Sequence, residues 1–242
     1  MFKQTLLTLE RLLAPENCHA CGTILYEHLN AFDANLCHAC AGRLPLLPPT
    51  SCPCCGAPVK SVDDFTAGRC RNCRPAGAGF DRLHACFRYD ATTRRLIHQF
   101  KYQGRAYLGR TLARLMLTVL HRESICFFDA LVPIPLAGAR LRERSFNQAR
   151  VLAEGLAADT QVPVRDLLVR VRETRAQARF DEAQRRSNVA GAFAAAPQAD
   201  VEGYRLLLVD DIVTTGATAH EAAAALKAAG AAHVAVAAFA KG

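Results

Sequence analysis

Past residue 80 the chain alternates between two hydrophobic periods. Short apolar runs predict strands at Leu83 to Tyr89, Ala130 to Ile134, Val164 to Arg170, Arg205 to Val209 and His233 to Phe239. Between them, apolar residues at helical spacing predict helices. Ala91 to Phe100 carries Leu96, Ile97 and Phe100. Leu108 to Leu120 carries Leu112, Leu115, Met116, Val119 and Leu120. Asn147 to Ala158 carries Val151, Leu152 and Leu156. The Ala-rich segment Ala217 to Ala229 reads as a helix stopped by Gly230. Repeated β-α-β units call for an α/β fold, a mainly parallel sheet with helices on both faces. Arg172 to Asn188 is polar, Arg-rich and aperiodic, and reads as a loop.

The first 80 residues are patterned by cysteine instead. Eight of the eleven cysteines form four C-x-x-C pairs: Cys18/Cys21, Cys37/Cys40, Cys52/Cys55 and Cys70/Cys73. Gaps of 15 and 14 residues separate the pairs within each half, so the region is an internal repeat. The Pro-rich stretch 44–49 divides the halves, and 74–79 closes the region. The expected domains are therefore 1–80 and 81–242. Each C-x-x-C sets two thiolates at a hairpin tip, and two such pairs complete a closed tetrahedral zinc site. With no open position on the metal, its role is structural: about two zinc ions replace the core that so short a segment lacks. Sequential pairing (18, 21, 37, 40, then 52, 55, 70, 73) is favoured by the Pro-rich divider, and an interleaved cross-brace is the alternative. Cys54 reads as a spectator. His19 and His38 read as exposed or hydrogen-bonded to sulfur.

Met1 to Ala14 reads as a short amphipathic helix, without the small-residue cleavage site of a secretory signal. That reading implies the cytoplasm, where thiols stay reduced and metal is favoured over disulfides. No apolar run is long enough to span a membrane. Two four-thiolate zinc sites, each with a net charge of −2, would lower the formal charge from +8 to +4. The remaining excess is local. Arg140, Arg142, Arg144 and Arg150 face only Glu143, and residues 165 to 186 hold seven Arg against four acids. Such clusters suit phosphate, on a nucleotide or a nucleic acid.

The strongest chemical signal is Leu206-Leu207-Leu208-Val209-Asp210-Asp211-Ile212-Val213-Thr214-Thr215-Gly216-Ala217-Thr218. A buried strand delivers two acids at its carboxyl end, and a Thr-Thr-Gly turn then opens a helix. The helix N-terminus offers N–H groups and a positive dipole to a phosphate. Gly216 permits close backbone approach, and Thr214, Thr215 and Thr218 add hydroxyls. Asp210 and Asp211 can accept from two ribose hydroxyls. A Walker B reading of the paired acids fails, because no G-x-x-x-x-G-K-[ST] loop is present.

Val209 to Thr218 resembles the phosphoribosyl diphosphate loop of type I phosphoribosyltransferases, and the whole chain resembles the ComF family, with its ComFC and GntX-like members. Further matches are His98-Gln99-Phe100-Lys101-Tyr102, Val132-Pro133-Ile134-Pro135, Arg144-Ser145-Phe146-Asn147-Gln148, Gln177, Arg185-Arg186-Ser187-Asn188-Val189 and the four cysteine pairs. Where the family commonly has Arg-Gly-Phe-Asn-Gln, Ser145 here replaces the Gly. The resemblance implies a type I phosphoribosyltransferase-like sheet preceded by a double zinc ribbon. It makes Asp210 and Asp211 the catalytic candidates, and residues 210, 211, 214, 215, 216, Ala217 and Thr218 the phosphoribosyl site. It makes Leu136, Ala137 and Gly138 the pyrophosphate loop, followed by Arg140 and Arg144 as a clamp, with Lys101 a further contact. Arg172 to Asn188 becomes the loop that closes the site, with Arg185 and Arg186 its best diphosphate candidates. Two functions then compete. One is a Mg²⁺-dependent phosphoribosyltransferase of unknown acceptor. The other is a non-catalytic protein of DNA uptake that grips single-stranded DNA or docks on a DNA-translocating ATPase. Tyr102, Tyr107 and Phe146 are the nearest residues for base stacking.

Overall fold

The computed structural model describes residues 17–25, 36–59, 61, 65–66, 69–70, 73, 79–102, 105–173 and 182–242. The helix expected at Met1 to Ala14 lies outside them. In chain order the elements are α1 (His38–Ala41), β1 (Phe65–Thr66), β2 (Arg69–Cys70), β3 (Arg82–Arg88), α2 (Ala91–Tyr102), α3 (Leu108–Leu120) and α4 (Arg122–Ile125). There follow β4 (Ala130–Pro133), α5 (Gly138–Arg144), α6 (Gln148–Thr160), β5 (Leu168–Arg170), α7 (Glu182–Val189), β6 (Phe193–Ala195), β7 (Arg205–Val213), α8 (Ala217–Ala228) and β8 (His233–Lys241).

The central sheet has the order β3-β8-β7-β4 and every pairing is parallel. In register, Leu131 pairs Leu207, which pairs Ala235. Parallel strands covered on both faces must be apolar on both, which is why Leu206 to Val209 shows no alternation. Leu207, Val209, Ala235 and Phe239 pack with Phe100, Leu112, Met116 and Leu152 of α2, α3 and α6. Leu206, Leu208, Val234 and Val236 face Ala222, Ala223 and Leu226 of α8. On the first face α3 and α6 approach closely: a Cβ at Gly109 would meet Val151 at 2.2 Å, and one at Gly155 would meet Ala113 at 2.5 Å.

Three expectations change. The strand expected at Val164 to Arg170 is split. Val164 makes a single parallel bridge to Leu131, and the chain then turns away so that β5 pairs antiparallel with β6. Arg165 and Asp166 between them are largely solvent-facing, and Asp166 is tied to Arg150. The loop expected over Arg172 to Asn188 ends in a helix, α7. Val189 at its end is fully buried, an anchor that shows no hydrophobic period in so polar a segment. The Pro-rich divider also has a second role. Leu47 N–H donates to Cys86 O (2.9 Å) and Arg88 N–H to Pro45 O (2.7 Å), which covers the open edge of β3.

Candidate functional site

The cysteines form two groups, Cys18/Cys21/Cys37/Cys40 and Cys52/Cys55/Cys70/Cys73, with all four Sγ atoms of each within 4.8 Å of one another. The pairing is thus sequential, and the interleaved cross-brace is excluded. The repeat is visible in the backbone: Gly22 N–H donates to Cys18 O and Gly56 N–H to Cys52 O, both glycines at positive φ. A tetrahedral zinc with bonds of about 2.3 Å spaces its sulfurs by about 3.8 Å. The observed Cys21–Cys37, Cys52–Cys73, Cys55–Cys70 and Cys70–Cys73 separations are 3.9, 3.8, 3.5 and 3.8 Å. The donor set fits structural zinc. Cys54 is buried beside the second group without joining it. His38 is exposed, whereas His19 is half-buried and tilted against Tyr107, with ring centroids 5.4 Å apart. The first group shares its core with α2 and α3, while the second packs chiefly on its own cysteines with Ala57 and Val59.

At the carboxyl ends of β4 and β7 opens a cleft of about 380 Å³. Asp210, Asp211, Thr214, Thr215, Gly216, Ala217 and Thr218 all line it, as do Lys101, Leu136, Arg140 and Arg144. Gly216 caps α8 at φ 81°, a left-handed conformation that glycine adopts without strain, so the chain turns sharply from strand to helix. The first-turn N–H groups of α8, which have no partner within the helix, therefore open onto the cleft.

The two acids differ. Asp211 is buried and its Oδ2 meets Lys101 Nζ at 2.7 Å, with side-chain exposures of 9% and 15%. Asp210 faces the cleft and accepts from the Asp211 N–H at 2.8 Å. Its pKa is pushed up to about 7, first by burial and then by the neighbouring Asp211 charge, against the pull of Lys101 and Arg144. Two carboxylates thus share one close ammonium, and the pair is short of positive charge.

The Phe146-Asn147-Gln148 string is positional. Asn147 accepts from Ala149 N–H as the cap of α6 and donates to Ile134 O (3.1 Å), which fixes the end of β4. Gln148 is buried and accepts from Arg144 Nη1 at 3.0 Å, and the Phe146 ring packs on Phe100. Arg144 also lies over the Tyr102 ring at 5.4 Å, and its buried Nε–H has no acceptor among the described residues. Ser145 holds φ 66°, the left-handed value for which the family's usual glycine is suited.

Not every expected residue faces the cleft. Ala137 is buried, and the Gly138 N–H is taken by Glu173 Oε1 at 2.8 Å. Arg185 and Arg186 sit on α7, and their side chains lie outside the described residues. Sequence reading missed Arg170, whose Nη1 donates to Pro135 O (3.3 Å) and which lines the cleft from β5. Tyr102, which sequence reading offered for base stacking, lines the cleft next to Lys101 at the end of α2.

The family model for a double zinc ribbon domain matches residues 9–74, and that for a phosphoribosyl transferase domain matches 129–242. Competence protein F of Haemophilus influenzae is 30% identical over 192 residues, covering 77% of this chain and 81% of its own length. DNA utilization protein YhgH of Salmonella typhimurium is 33% identical, with 83% and 88% covered. The chain belongs to the ComF family. Competence protein ComFC of Bacillus subtilis is 29% identical over 80% of this chain and 78% of its own. Among solved structures, glutamine phosphoribosylpyrophosphate amidotransferase from B. subtilis overlaps 56% of this ComF chain, which spans about a quarter of that enzyme. Its identity is 26% and its TM-score 0.34, too slight an overlap to weigh. Among the described residues no helix is long and apolar enough to cross a membrane.

Proposed function

We propose that the cleft binds phosphoribosyl diphosphate with Mg²⁺, in a protein whose biological setting is DNA uptake or use, as its relatives' names suggest. The observation that carries the reading is one cleft lined by a strand-borne acid pair with Lys101 bonded to it, a glycine-capped helix start, Arg140 and Arg144. The 5-phosphate would take the N–H groups and hydroxyls of Thr214 to Thr218. Asp210 would accept from the ribose hydroxyls. Arg140 and Arg144 would hold the diphosphate as planar donors. The charge shortfall at Asp210 and Asp211 fits a divalent cation brought with the ligand, which would neutralise charge on the leaving diphosphate. Arg144, fixed by Gln148 and Tyr102, is oriented before the ligand arrives, so little reorganisation remains.

Calorimetry tests the reading. Wild type should bind phosphoribosyl diphosphate with Mg²⁺. Asp210→Asn and Thr215→Val should each weaken binding by roughly 1–3 kcal/mol. Gly216→Val should cost more, since a β-branched residue resists φ 81°. No affinity up to millimolar ligand refutes the reading. Pyrophosphate release across a panel of bases and nucleic acids decides between transfer and binding alone. Binding without release favours a non-catalytic role, with single-stranded DNA as the partner to assay next.

A further inference from the structure

Glu173 is an exposed residue just beyond β5, yet its carboxylate is seated on the diphosphate loop. Glu173 Oε1 accepts from the Gly138 N–H at 2.8 Å. A Cβ placed at Gly138 would lie 2.8 Å from that oxygen and 3.5 Å from Arg142 Nη1, so the carboxylate rests against the backbone itself. The root of the segment is fastened nearby: Arg170 Nη1 donates to Pro135 O, and Arg172 Nη2 donates to Ala190 O (2.6 Å) and Asn188 O (3.1 Å). Arg170 also feels the repulsion of Arg140 and the attraction of Glu173. An anionic side chain therefore occupies a backbone donor of the pyrophosphate loop, among the cations of that wall.

We propose that Glu173 is an internal competitor for the diphosphate, an affinity-determining residue that must leave Gly138 before an anion can take its N–H. The proposal rests on the phosphoribosyl diphosphate reading of the cleft. Carboxylate and phosphate oxygens use the same donor, and both cannot hold it at once. A diphosphate carries more charge than one carboxylate, so it wins the exchange. Part of its attraction is spent on displacing Glu173 and on repulsion from it. Ribose 5-phosphate, held at Thr214 to Thr218, reaches neither Gly138 nor Glu173, and its binding should be indifferent.

The experiment titrates the full-length, zinc-loaded protein by calorimetry with inorganic pyrophosphate, phosphoribosyl diphosphate and ribose 5-phosphate, each with Mg²⁺. Wild type, Glu173→Gln and Glu173→Ala are compared. Removing the charge should tighten pyrophosphate and phosphoribosyl diphosphate binding by about 3- to 10-fold, with the Ala variant at least equal to Gln. Ribose 5-phosphate affinity should stay within about twofold. The gain should shrink at high salt, as a charge effect must and a purely steric one need not. Unchanged or weaker pyrophosphate binding in both variants overturns the proposal while leaving the cleft reading intact. A gain that extends equally to ribose 5-phosphate overturns it as well, because the effect is then general. If none of the three proteins binds any of the ligands, the cleft reading fails and this proposal falls with it.

Discussion

Asp81 and Asp210 stand at opposite ends of one parallel sheet, and the fold treats them in opposite ways. Asp81 precedes β3 at the amino end. Its Oδ1 meets Lys227 Nζ at 2.5 Å, and its Oδ2 accepts from Val234 N–H at 2.8 Å with His233 Nδ1 at 3.3 Å. Burial alone would raise its pKa, but these partners outweigh it and hold the carboxyl below its ordinary value. Asp129, before β4, likewise accepts from the Arg205 N–H at 2.7 Å. At the carboxyl end, Asp210 and Asp211 compete for Lys101, and the Asp210 pKa rises. One end of the sheet satisfies its acids within the chain. The other leaves the Asp210–Asp211 pair locally short of positive charge, and that shortfall is the basis for the cation in the proposed function.

The largest expected effect comes from removing the ammonium paired with Asp211 at the deficient end. Lys101→Met leaves the buried Asp211, and the cleft-facing Asp210 beside it, without their close counter-charge and should cost about 3 kcal/mol in urea unfolding at pH 8. Adding Asp211→Asn should recover most of that loss, because the stranded charge goes with it. A cost below about 0.5 kcal/mol would break the contrast, showing that the carboxyl end is satisfied by other means.

A smaller effect separates the two ends by pH. A carboxyl whose folded pKa is raised binds more protons folded than unfolded, so Asp210 makes stability fall as pH rises from about 4 to about 7. Asp81, with a lowered folded pKa, contributes stability that is present above its unfolded value near 3.8 and is lost as pH falls below it. Asp210→Asn should therefore flatten the decline from pH 4 to 7 and gain on the order of 2 kcal/mol at pH 8. Asp81→Asn should lose about 1 kcal/mol at neutral pH, the loss vanishing in acid. Denaturant titrations at several pH values give both slopes. Parallel curves for the two variants would end the contrast.

Much of this was legible in the chain. The bounds of α3 agree with its hydrophobic period, since Leu108 to Leu120 packs one face into the main core. The cysteine spacing marked two metal groups because a C-x-x-C knuckle is a local structure. The string from Leu206 to Thr218 placed the strand, the acids and the helix start in one local turn. What the sequence hid is non-local. Arg170 reaches the cleft from a strand 35 residues beyond Pro135. Glu173 meets Gly138 across a comparable distance, and Lys101 finds Asp211 from 110 positions away. Pro45 to Leu47 reads as a spacer, since nothing local says that β3 needs its edge covered. Polar pairs of this kind leave no period, so only the fold reveals them.

The smallest expected effect concerns the backbone at the same two ends. At the amino end, the turns carrying Gly203 and Gly230 adopt left-handed φ values of 72° and 103°, and Gly203 N–H donates to Gly230 O. Beside the cleft, the turn that closes α5 asks a comparable conformation of Ser145, at φ 66°. A non-glycine residue there carries a steric cost of roughly 1 kcal/mol, partly offset because glycine loses more entropy on folding. Ser145→Gly should therefore stabilise the protein by about 0.5–1 kcal/mol, a rise of roughly 1–4 °C in Tm for a chain of this size. Gly203→Ser is the mirror experiment. A Cβ at Gly203 meets nothing within 4 Å, so the substitution isolates the conformational cost and should lose a similar amount. Gly230 is unsuitable for that purpose, because a Cβ there would run into Glu202. If Ser145→Gly instead leaves stability unchanged while Gly203→Ser costs the expected amount, the surroundings of Ser145 offset its strain. The two ends would then differ in their charges and not in their backbone.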